Sequence, residues 1–493
     1  MSIAVESFLL SPSHTGTLQR QVQDLVTDGI LGGRFRPGDR LPSSRKLATH
    51  LGISRITVTL AYTELVANDY LTSRGRSGYF VSDQAPKPVD TLPPPAGPST
   101  VDWSRTLGGR IGTSLTISRP AAWRDYRYPF IYGQPDQRLF DHQSWRRCAM
   151  QALGRRDFDA LTADAYEADD PELVAQIIRL ILPRRGISAR PDQVLITLGA
   201  QNALWTAAQV LLTQRRTAAM EYPCYPVLRD ILTQSRCNTT ELTVDDAGLR
   251  PESIPPETDV LFTTPSHHCP TSATLPLDRR RALLKRAQDD DFLIVEDDYE
   301  FELGFMSRPA PALKSLDTDG RVIYIGSFSK SLFPGLRLGY MVAAAPVIRE
   351  ARALRGLVLR HPPGHIQRFA AYYLTHGYYD TQVQRTARAF RTRREVLDES
   401  LMRHGLEPAG RNGFGGSSVW MRTPDGVSAD DLAARLRTRS VLIEPGAAFF
   451  RPGDARGQNH YRLGYSSIDS TAIPTGTALI AEELARLQRQ SRG

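Results

Sequence analysis

Apolar positions in the first 80 residues follow helical spacing in three segments. Over Thr17–Gly32 they recur every three or four residues, which predicts an amphipathic helix. Two further helices are predicted over Ser43–Leu51 and from about Arg55 to Asn68, and Ser54 is well placed to cap the third. Two short β-like runs around a glycine-containing turn follow over Tyr70–Val81. The pattern therefore predicts three helices followed by a β-hairpin.

The rest of the chain alternates between short apolar runs and helical stretches. Several runs are almost continuously apolar, as expected for strands buried on both faces of a sheet. The predicted strands are Gln193–Thr197, Thr217–Glu221, Val260–Thr264, Phe292–Asp297, Val322–Ser327 and Leu338–Ala343. The predicted helices between them are Ala200–Thr213, Leu277–Asp289 and Pro346–Leu359. This alternation predicts an α/β body with a mostly parallel sheet.

The pattern changes again near residue 380. A long Arg-rich helix is predicted over Val383–Arg403, followed by the strands and helices of a smaller C-terminal α+β subdomain. Between the head and the body, residues 84–100 contain six prolines. Such a segment behaves as a semi-rigid spacer, roughly 50 Å long if fully extended at about 3 Å per residue. We therefore predict a head over 12–83, a linker over 84–122 and a body over 123–493.

The composition is that of a globular protein, with 41% hydrophobic and 23% charged residues in 493. No apolar run approaches the roughly 18 residues of a membrane helix, and the N-terminal residues lack the pattern of a secretion signal. The four cysteines show no C-x-x-C spacing, which indicates reduced thiols and neither disulfides nor a metal site. We expect a cytoplasmic protein with no membrane partner.

Basic side chains cluster in the head, and the whole chain carries a net charge of +8. Two helices joined by a tight turn, with a basic hairpin after them, are typical of a winged helix-turn-helix whose third helix enters the major groove of DNA. The predicted DNA contacts are Arg55 and Thr57 at base edges or phosphates, Arg45 and Lys46 at phosphates, and Arg74 and Arg76 in the wing. On the pattern alone, a helical domain with a solvated basic face is the alternative.

The residues of the head narrow this choice. The segment FRPGDRLPSSRKLATHLGISRITVTLAYTELVANDYLTSRGRSGYFV resembles the GntR-type winged helix throughout, including its P-G-D-x-L-P-S-x-R stretch and its glycine-containing wing. The resemblance covers nearly the whole head. It implies that the partner of the head is double-stranded operator DNA.

One lysine of the body stands out, because only five of the 61 basic residues are lysines and arginine cannot form an imine. In IGSFSKSLFPGLRLGY, Lys330 follows an apolar run, with Ser327 and Ser329 before it and Arg337 after it. Hydroxyls and a guanidinium around a lysine suit a phosphate beside an imine, which is the chemistry of pyridoxal phosphate. A surface lysine in a serine-rich loop is the alternative.

Pyridoxal phosphate also needs an acid against its pyridine nitrogen, an aromatic face and a phosphate cradle. In VEDDYEF, Asp297 ends an apolar strand and Tyr299 follows, although an acidic cluster is also typical of a solvated turn. The helix that starts in TLGAQNALW places its first amides near Ala200 and Gln201, where an anion can bind. Tyr225 is a candidate for stacking on the ring, although a packed loop tyrosine is the alternative. Arg462 is a candidate for binding a ligand carboxylate or sulfonate, although a single arginine means little in an arginine-rich chain.

The order of the motifs LGAQNAL, TPSHHCPTS, VEDDYEFE, GSFSKSLFPGLRLGY and HYRLGYS resembles fold-type I aminotransferases and, with the head, the MocR/GabR-type regulators. The resemblance implies Lys330 as the Schiff-base lysine, Asp297 on the pyridine nitrogen, Tyr299 near the phenolic oxygen and Tyr225 against the ring. The remaining implied roles are phosphate contacts from Ala200, Gln201, Ser327, Ser329 and Arg337, effector binding by Arg462, and a contact of Tyr166 with the partner's phosphate. It also implies head-to-tail homodimers.

Two departures from the family pattern affect the function. Val227 stands where GABA-responsive members have an effector-binding arginine, and Cys269–Ser272 replaces the N-P-T-G of many aminotransferases. These changes favour a sensor over an efficient enzyme. We expect a transcription regulator in which a small amino compound, taurine or a related short amino acid, displaces Lys330 by transimination. The alternatives are a working aminotransferase with a DNA-binding appendage and a pyridoxal-phosphate sensor that controls vitamin B6 synthesis.

Overall fold

The computed structural model describes residues 2–11, 16–86, 101–107, 119–134, 136–164, 167–306, 310–410 and 415–492, without the side chains of Arg76 and Arg492. The chain forms two compact units, Met1–Arg110 and Ile111–Gly493. Among the described residues, no helix is both long enough and apolar enough to cross a bilayer. The domain limits at 12–83, 84–122 and 123–493 stay predictions, since much of the linker lies outside the described residues.

The first unit contains the three helices and the hairpin that the pattern predicts. Its elements are α1 (Leu18–Leu31), α2 (Ser44–Leu51), α3 (Arg55–Ala67), β1 (Leu71–Ser73), β2 (Tyr79–Val81) and the short α4 (Trp103–Thr106). The hydroxyls of Thr17, Ser43 and Ser54 each accept an amide hydrogen bond at the start of α1, α2 and α3. These caps satisfy amides that the helices leave without partners. The winged helix is therefore confirmed.

The core of the head comes from one face of each helix. Val22, Leu47, Val58 and Tyr62 are fully buried, and the Tyr62 hydroxyl donates to the carbonyl oxygen of Pro42 at 3.1 Å. Gly52 has a φ of 66°, which lets the chain turn tightly between α2 and α3. Packing of this kind fixes the angle at which α3 is presented to a partner.

The body is built on a seven-stranded sheet, which confirms an α/β fold. Its strands are β4 (Val194–Thr197), β5 (Thr217–Tyr222), β6 (Asn238–Thr243), β7 (Val260–Thr263), β8 (Leu293–Asp297), β9 (Val322–Ser327) and β10 (Gly339–Val342). They lie in the order β4-β10-β9-β8-β7-β5-β6, and β10 runs in the opposite direction to the other six strands of this sheet. The sheet is thus mostly parallel, as predicted.

Strand β6 was not predicted, and its position explains why. It pairs only with β5, at the edge of the sheet, and its sequence NTTELT is largely polar and exposed. An edge strand of this kind carries no continuous apolar run, which is the signal that revealed the buried strands.

Helices cover the sheet and build the rest of the body. They are α5 (His142–Ala152), α6 (Arg155–Thr162), α7 (Pro171–Gln176), α8 (Ala200–Leu211), α9 (Pro226–Gln234), α10 (Leu277–Asp289), α11 (Leu313–Leu316), α12 (Ala345–Leu359), α13 (Gly364–Thr375) and α14 (Tyr378–Arg403). Helix α14 begins five residues before the predicted Val383, directly after Gly377, which has a φ of 74°. Its first residues are aromatic and polar, so apolar spacing does not reveal this first turn.

The smaller α+β subdomain has its own core. Its elements are β11 (Ser418–Arg422), α15 (Ala429–Thr438), β12 (Val441–Leu442), β13 (Glu444–Pro445), α16 (Ala455–Gln458), β14 (His460–Gly464) and α17 (Ile473–Arg492). Strand β14 pairs antiparallel with β11 and β13, while β12 pairs with β3 (Tyr128–Pro129). The subdomain places β13 and β14 against the segment that follows β3.

Candidate functional site

A cavity of about 260 Å³ lies where the parallel strands end. Asp297 and Ser327 are the last residues of β8 and β9, and α8 starts shortly after β4 ends. Ligands in open α/β sheets bind outside these carboxyl ends. The cavity is lined by ten residues that the sequence singles out, namely Lys330, Asp297, Tyr299, Tyr225, Ala200, Gln201, Ser327, Ser329, Arg337 and Arg462. Tyr166 lies outside the described residues, and the individual roles stay predictions.

Lys330 lies on the loop after β9, partly accessible from the cavity. Its Nζ is 3.8 Å from the centre of the Tyr132 ring. Burial lowers the pKa of Lys330 to about 8, although Glu300 nearby acts in the opposite direction. Gly133 has a φ of 70°, and a Cβ at this position would lie 2.3 Å from Nζ. A glycine here therefore gives the lysine the space it occupies.

The adjacent residues Asp297 and Asp298 have different surroundings. Asp298 is neutralised by Arg185, whose Nε donates to its Oδ2 at 2.6 Å, and it also accepts from the Tyr324 hydroxyl. The Oδ1 of Asp297 is buried and has no hydrogen-bond partner. Burial, with Asp298 and Glu221 nearby, raises the pKa of Asp297 to about 8. A buried carboxyl in this state suits a cationic N–H group, such as a protonated pyridine nitrogen.

The start of α8 forms an anion cradle with the loops around it. Gly199, with a φ of 84°, turns the chain so that the first amides of the 12-residue helix point into the cavity end of the sheet. Arg337 Nη2 donates to the carbonyl oxygen of Leu198 at 3.0 Å, which holds the guanidinium beside these amides. The Ser329 amide donates to Ser327 Oγ at 3.2 Å. Amides, hydroxyls and a guanidinium together suit a phosphate.

Two tyrosines line the same cavity. The Tyr225 hydroxyl donates to Gln201 Oε1 at 3.4 Å, which ties this ring to the start of α8. The Tyr299 hydroxyl donates to the carbonyl oxygen of His267 at 3.0 Å. Burial raises the pKa of both tyrosines, so each hydroxyl keeps its proton and remains a donor.

Arg462 on β14 is held by a carboxylate and two rings. Its Nε donates to Glu444 Oε2 at 2.8 Å, and its guanidinium carbon is 3.9 Å from the centre of the Tyr132 ring and 4.8 Å from that of Phe449. The side chains of Arg462 and Glu444 are each only 3% exposed. Arg462 is therefore in place at the cavity, with part of its hydrogen-bonding capacity already used by Glu444.

The structure also shows where the residues that depart from the family pattern lie. Cys269 lines the cavity, and burial raises the pKa of its thiol to about 12, so the thiol stays protonated. Val227 packs against the apolar core beneath α8 and α9. Arg229, two residues later, donates to the carbonyl oxygens of Phe449 and Phe450 at 2.8 Å, and so does not take the place of the missing arginine.

Several residues at the cavity were not predicted from the sequence. They are Arg119, Tyr132, Gly133, Thr264 and Phe449, together with Glu444 and Glu300 behind the wall. Tyr132 illustrates the reason, since its amide donates to Glu444 Oε1 across 312 residues of sequence. The glycine of the Tyr132-Gly133 pair, directly after the apolar YPFI run, is a local signal for a turn in this segment.

The head presents its basic residues outward. Arg45, Lys46, Arg55 and Arg74 are exposed, and Thr57 is half-buried on the first turn of α3. The guanidinium of Arg74 lies 4.7 Å from the centre of the Phe80 ring, which orients it in the wing. Arg76 is on the same turn, but its side chain is outside the described residues.

Exposed apolar side chains accompany these charges on α3. Ile56 is 70% exposed and Leu60 is 50% exposed. Apolar groups on a recognition helix can contact the methyl groups of thymine in the major groove. The surface of α3 therefore offers both charged and apolar contacts.

Comparison with known proteins agrees with both halves of the chain. Residues 18–81 match the gntR family of bacterial regulatory proteins, and residues 143–469 match aminotransferase class I and II. The chain is 57% identical to the HTH-type transcriptional regulator TauR of Rhodobacter capsulatus, over 98% of this chain and 100% of the relative. It is 31% identical to the probable rhizopine catabolism regulatory protein MocR of Rhizobium meliloti, over 93% and 92% of the two chains.

A solved structure extends this likeness to the fold of the body. LysN, an α-aminoadipate aminotransferase from Thermus thermophilus, superposes with a TM-score of 0.71 at 26% identity, and the match covers 79% of this chain and 100% of LysN. Enzymes of this fold depend on pyridoxal phosphate. The chain therefore belongs to the MocR-type transcriptional regulators, in which a DNA-binding GntR-type winged helix is joined to a pyridoxal-phosphate-dependent domain of aminotransferase class I and II.

Proposed function

We propose that this regulator senses a short amino acid or amino sulfonate, such as taurine, at Lys330 and changes its binding to operator DNA in response. The observation that carries the proposal is the cavity itself. It brings a depressed-pKa lysine, an unpaired buried carboxyl and an anion cradle to one place. A site with these three groups is typical of pyridoxal phosphate.

The residues fit this cofactor one by one. The orphaned Oδ1 of Asp297 would accept from the pyridine nitrogen, and the amides of Ala200 and Gln201 would hold the phosphate with Ser327, Ser329 and Arg337. Tyr225 would lie against the ring, and Tyr299 near its phenolic oxygen. Bound pyridoxal phosphate supplies an electrophilic aldehyde to which primary amines add.

Lys330 is prepared for this chemistry by its surroundings. At pH 7.5 a pKa of about 8 leaves roughly a quarter of its amine unprotonated, against roughly a thousandth at the ordinary value of 10.5. An incoming amine competes with Lys330 for the same aldehyde. The released lysine side chain then needs a place, which the Tyr132 ring and the buried Glu300 provide.

The cavity also limits the effector. At about 260 Å³ it is smaller than the roughly 300–1,000 Å³ of ordinary ligand pockets, and it must hold the cofactor as well. A cavity of this size, shared with the cofactor, favours a short effector. Arg462 in the wall favours an effector with a carboxylate or sulfonate.

The signal must reach the DNA-binding head. An effector shifts the equilibrium between two arrangements of a protein only when it binds them unequally. We therefore infer a head-to-tail homodimer in the cytoplasm, in which Tyr166 reaches the partner's phosphate and the bound effector favours one arrangement of the two heads. Sedimentation velocity of the cofactor-loaded protein tests the dimer.

Three variants of the full-length protein test the function. Lys330→Ala should lose the visible absorbance band of the covalently bound cofactor, whereas Lys285→Ala should keep it, because Lys285 is exposed on α10 and pairs with Asp289. Arg55→Ala should weaken binding to a duplex from upstream of the gene by about 1–3 kcal/mol, or roughly 5- to 150-fold, without changing that band. Arg20→Ala, an exposed arginine on α1, is the matched control for the head.

Two results would replace the proposal by another function. Multiple-turnover production of a keto acid or aldehyde at ordinary enzymatic rates would make the body a working aminotransferase. A change of DNA affinity caused by pyridoxal phosphate, with taurine having no effect, would make the protein a sensor of the cofactor itself. Persistence of the band in Lys330→Ala would remove Lys330 from its assigned role.

A further inference from the structure

Three charged side chains from distant parts of the chain meet beside Tyr132. Glu444 on β13 accepts from Arg462 through Oε2, and its other oxygen, Oε1, lies 3.9 Å from the Nε of Arg119. The Tyr132 amide also donates to Oε1, at 3.3 Å. One carboxylate therefore serves two guanidinium groups at the same time.

Arg119 is held much more loosely than Arg462. Its Nη1 donates to the carbonyl oxygen of Tyr132 at 3.3 Å, and its side chain is 33% exposed, against 3% for Glu444 and Arg462. It lines the same cavity as Lys330. Arg119, with its long contacts and solvent access, can reorient toward a ligand, whereas Arg462 is fixed in one position between two rings.

Two arginines of the cavity wall have no part in holding the cofactor. The proposed function gives Arg337 to the phosphate, Asp297 to the pyridine nitrogen and Lys330 to the aldehyde. Among the described residues of the cavity wall, this leaves Arg119 and Arg462, which share Glu444, while the buried Glu300 lies beside the lysine side chain. Guanidinium groups bind carboxylate and sulfonate oxygens well, and two of them at one end of a partly water-excluded cavity suit an acid group.

We infer that Arg119 is a second effector-binding residue, which binds the acid group of the effector together with Arg462 and makes the sensor select amino acids over simple amines. The inference rests on the proposed function, since the effector's amine must lie at Lys330. Arg462 alone is insufficient because Glu444 occupies its Nε edge. Arg119 adds N–H donors that are accessible from the cavity.

Comparing two ligands, taurine and ethylamine, isolates the contribution of the acid group to the binding affinity. Taurine and ethylamine have the same aminoethyl chain, but only taurine carries the sulfonate. Each is titrated into the cofactor-loaded, full-length protein, and the change of the visible absorbance band gives the affinity. In Arg119→Gln we expect the affinity for taurine to fall roughly 10- to 100-fold, the size of one charge-assisted hydrogen bond, and that for ethylamine to change less than about twofold.

Further variants and ligands sharpen the comparison. Arg119→Lys should recover part of the taurine affinity, because it keeps the charge but not the forked geometry. Arg127→Gln is the matched control, since this exposed arginine of the same segment lies over the Tyr128 ring and outside the cavity wall. β-Alanine, with a carboxylate in place of the sulfonate, shows which acid group the pair prefers, and Arg119→Gln should weaken its binding as well.

The possible results are distinct. Equal losses for taurine and ethylamine in Arg119→Gln would show a merely structural arginine and overturn the inference alone. Unchanged affinity for both acids would do the same. If the unaltered protein keeps its cofactor band but responds to none of the amines, the proposed function fails, and the role of Arg119 fails with it.

Discussion

Replacing Asp297 with asparagine should have opposite effects on the cofactor-free and cofactor-loaded protein. Its Oδ1 is buried without a partner, and burial raises its pKa from 3.8 to about 8. Folding therefore favours the protonated carboxyl. Burial of the ionised carboxylate lowers the free energy of unfolding. This destabilisation is absent below about pH 4, grows as the pH rises and is complete above about pH 8.

The pKa values give the size of the effect. Between an unfolded value of 3.8 and a folded value of about 8, the cost is about 2 kcal/mol at pH 5 and about 4 kcal/mol at pH 7. Asparagine has no charge at either pH. The free energy of unfolding of Asp297→Asn, relative to the unaltered protein, should therefore rise by about 2–3 kcal/mol from pH 5 to pH 7.

With the cofactor bound, the sign reverses. The carboxyl then has its cationic partner, and removing one member of a buried pair costs about 3 kcal/mol or more. We expect roughly a hundredfold or greater loss of cofactor affinity at pH 7. Asp297→Asn thus raises the stability of the cofactor-free protein and lowers its affinity for the cofactor.

Urea unfolding of the cofactor-free chain, followed by tryptophan fluorescence at pH 5 and pH 7, measures the first effect. Four of the five tryptophans lie in the second unit, so the signal reports mainly on the body. Asp298→Asn is the control: it leaves the buried Arg185 without its carboxylate and should destabilise the protein by about 3–5 kcal/mol. A difference that does not change with pH, or cofactor affinity that survives in Asp297→Asn, would refute the reasoning.

Two further substitutions test the packing of each unit. Gly133→Ala should cost about 1–2 kcal/mol of stability through its φ of 70° and, by displacing Lys330 Nζ, slow the appearance of the cofactor band; an unchanged rate would contradict the close contact. Gly29→Ala on α1 should destabilise the head by about 1–2 kcal/mol and reduce DNA binding, because its Cβ would lie 2.1 Å from the Phe35 ring. Thermal unfolding measures the stability of both variants, and Gly356→Ala on α12, whose Cβ would meet nothing within 4 Å, should be neutral or stabilising in the same assay.

Much of the fold could be predicted because its signals are local. Strand β9 and helix α10 have the predicted limits, since a continuous apolar run and a helical repeat are both visible in a short window. The positions of Asp297 and Lys330 at the cavity also follow from their places, at the end of β8 and on the loop after β9. The order of the motifs along the chain then indicates the family and the cofactor, which the apolar pattern alone leaves open.

The rest depends on contacts between distant residues. VEDDYEF contains two adjacent aspartates, and only the approach of Arg185 to Asp298, 113 residues away in sequence, shows which one is free for a ligand. The sharing of Glu444 by Arg119 and Arg462 likewise joins three separate segments. No local pattern contains this information, because each side chain alone has an ordinary surface explanation.

The loop that carries Lys330 is fastened at both of its ends. Ser327 and Gly339 face each other across β9 and β10, and the Phe328 amide donates to the Leu338 carbonyl oxygen at 3.1 Å. These contacts hold both ends of the loop at the edge of β9 and β10. The side chains around Nζ have a different connection, because Glu300 accepts a hydrogen bond from Ser417, the residue that precedes β11. The lysine is therefore fastened to the sheet through the backbone of its loop, and the side chains around it are fastened to the smaller subdomain.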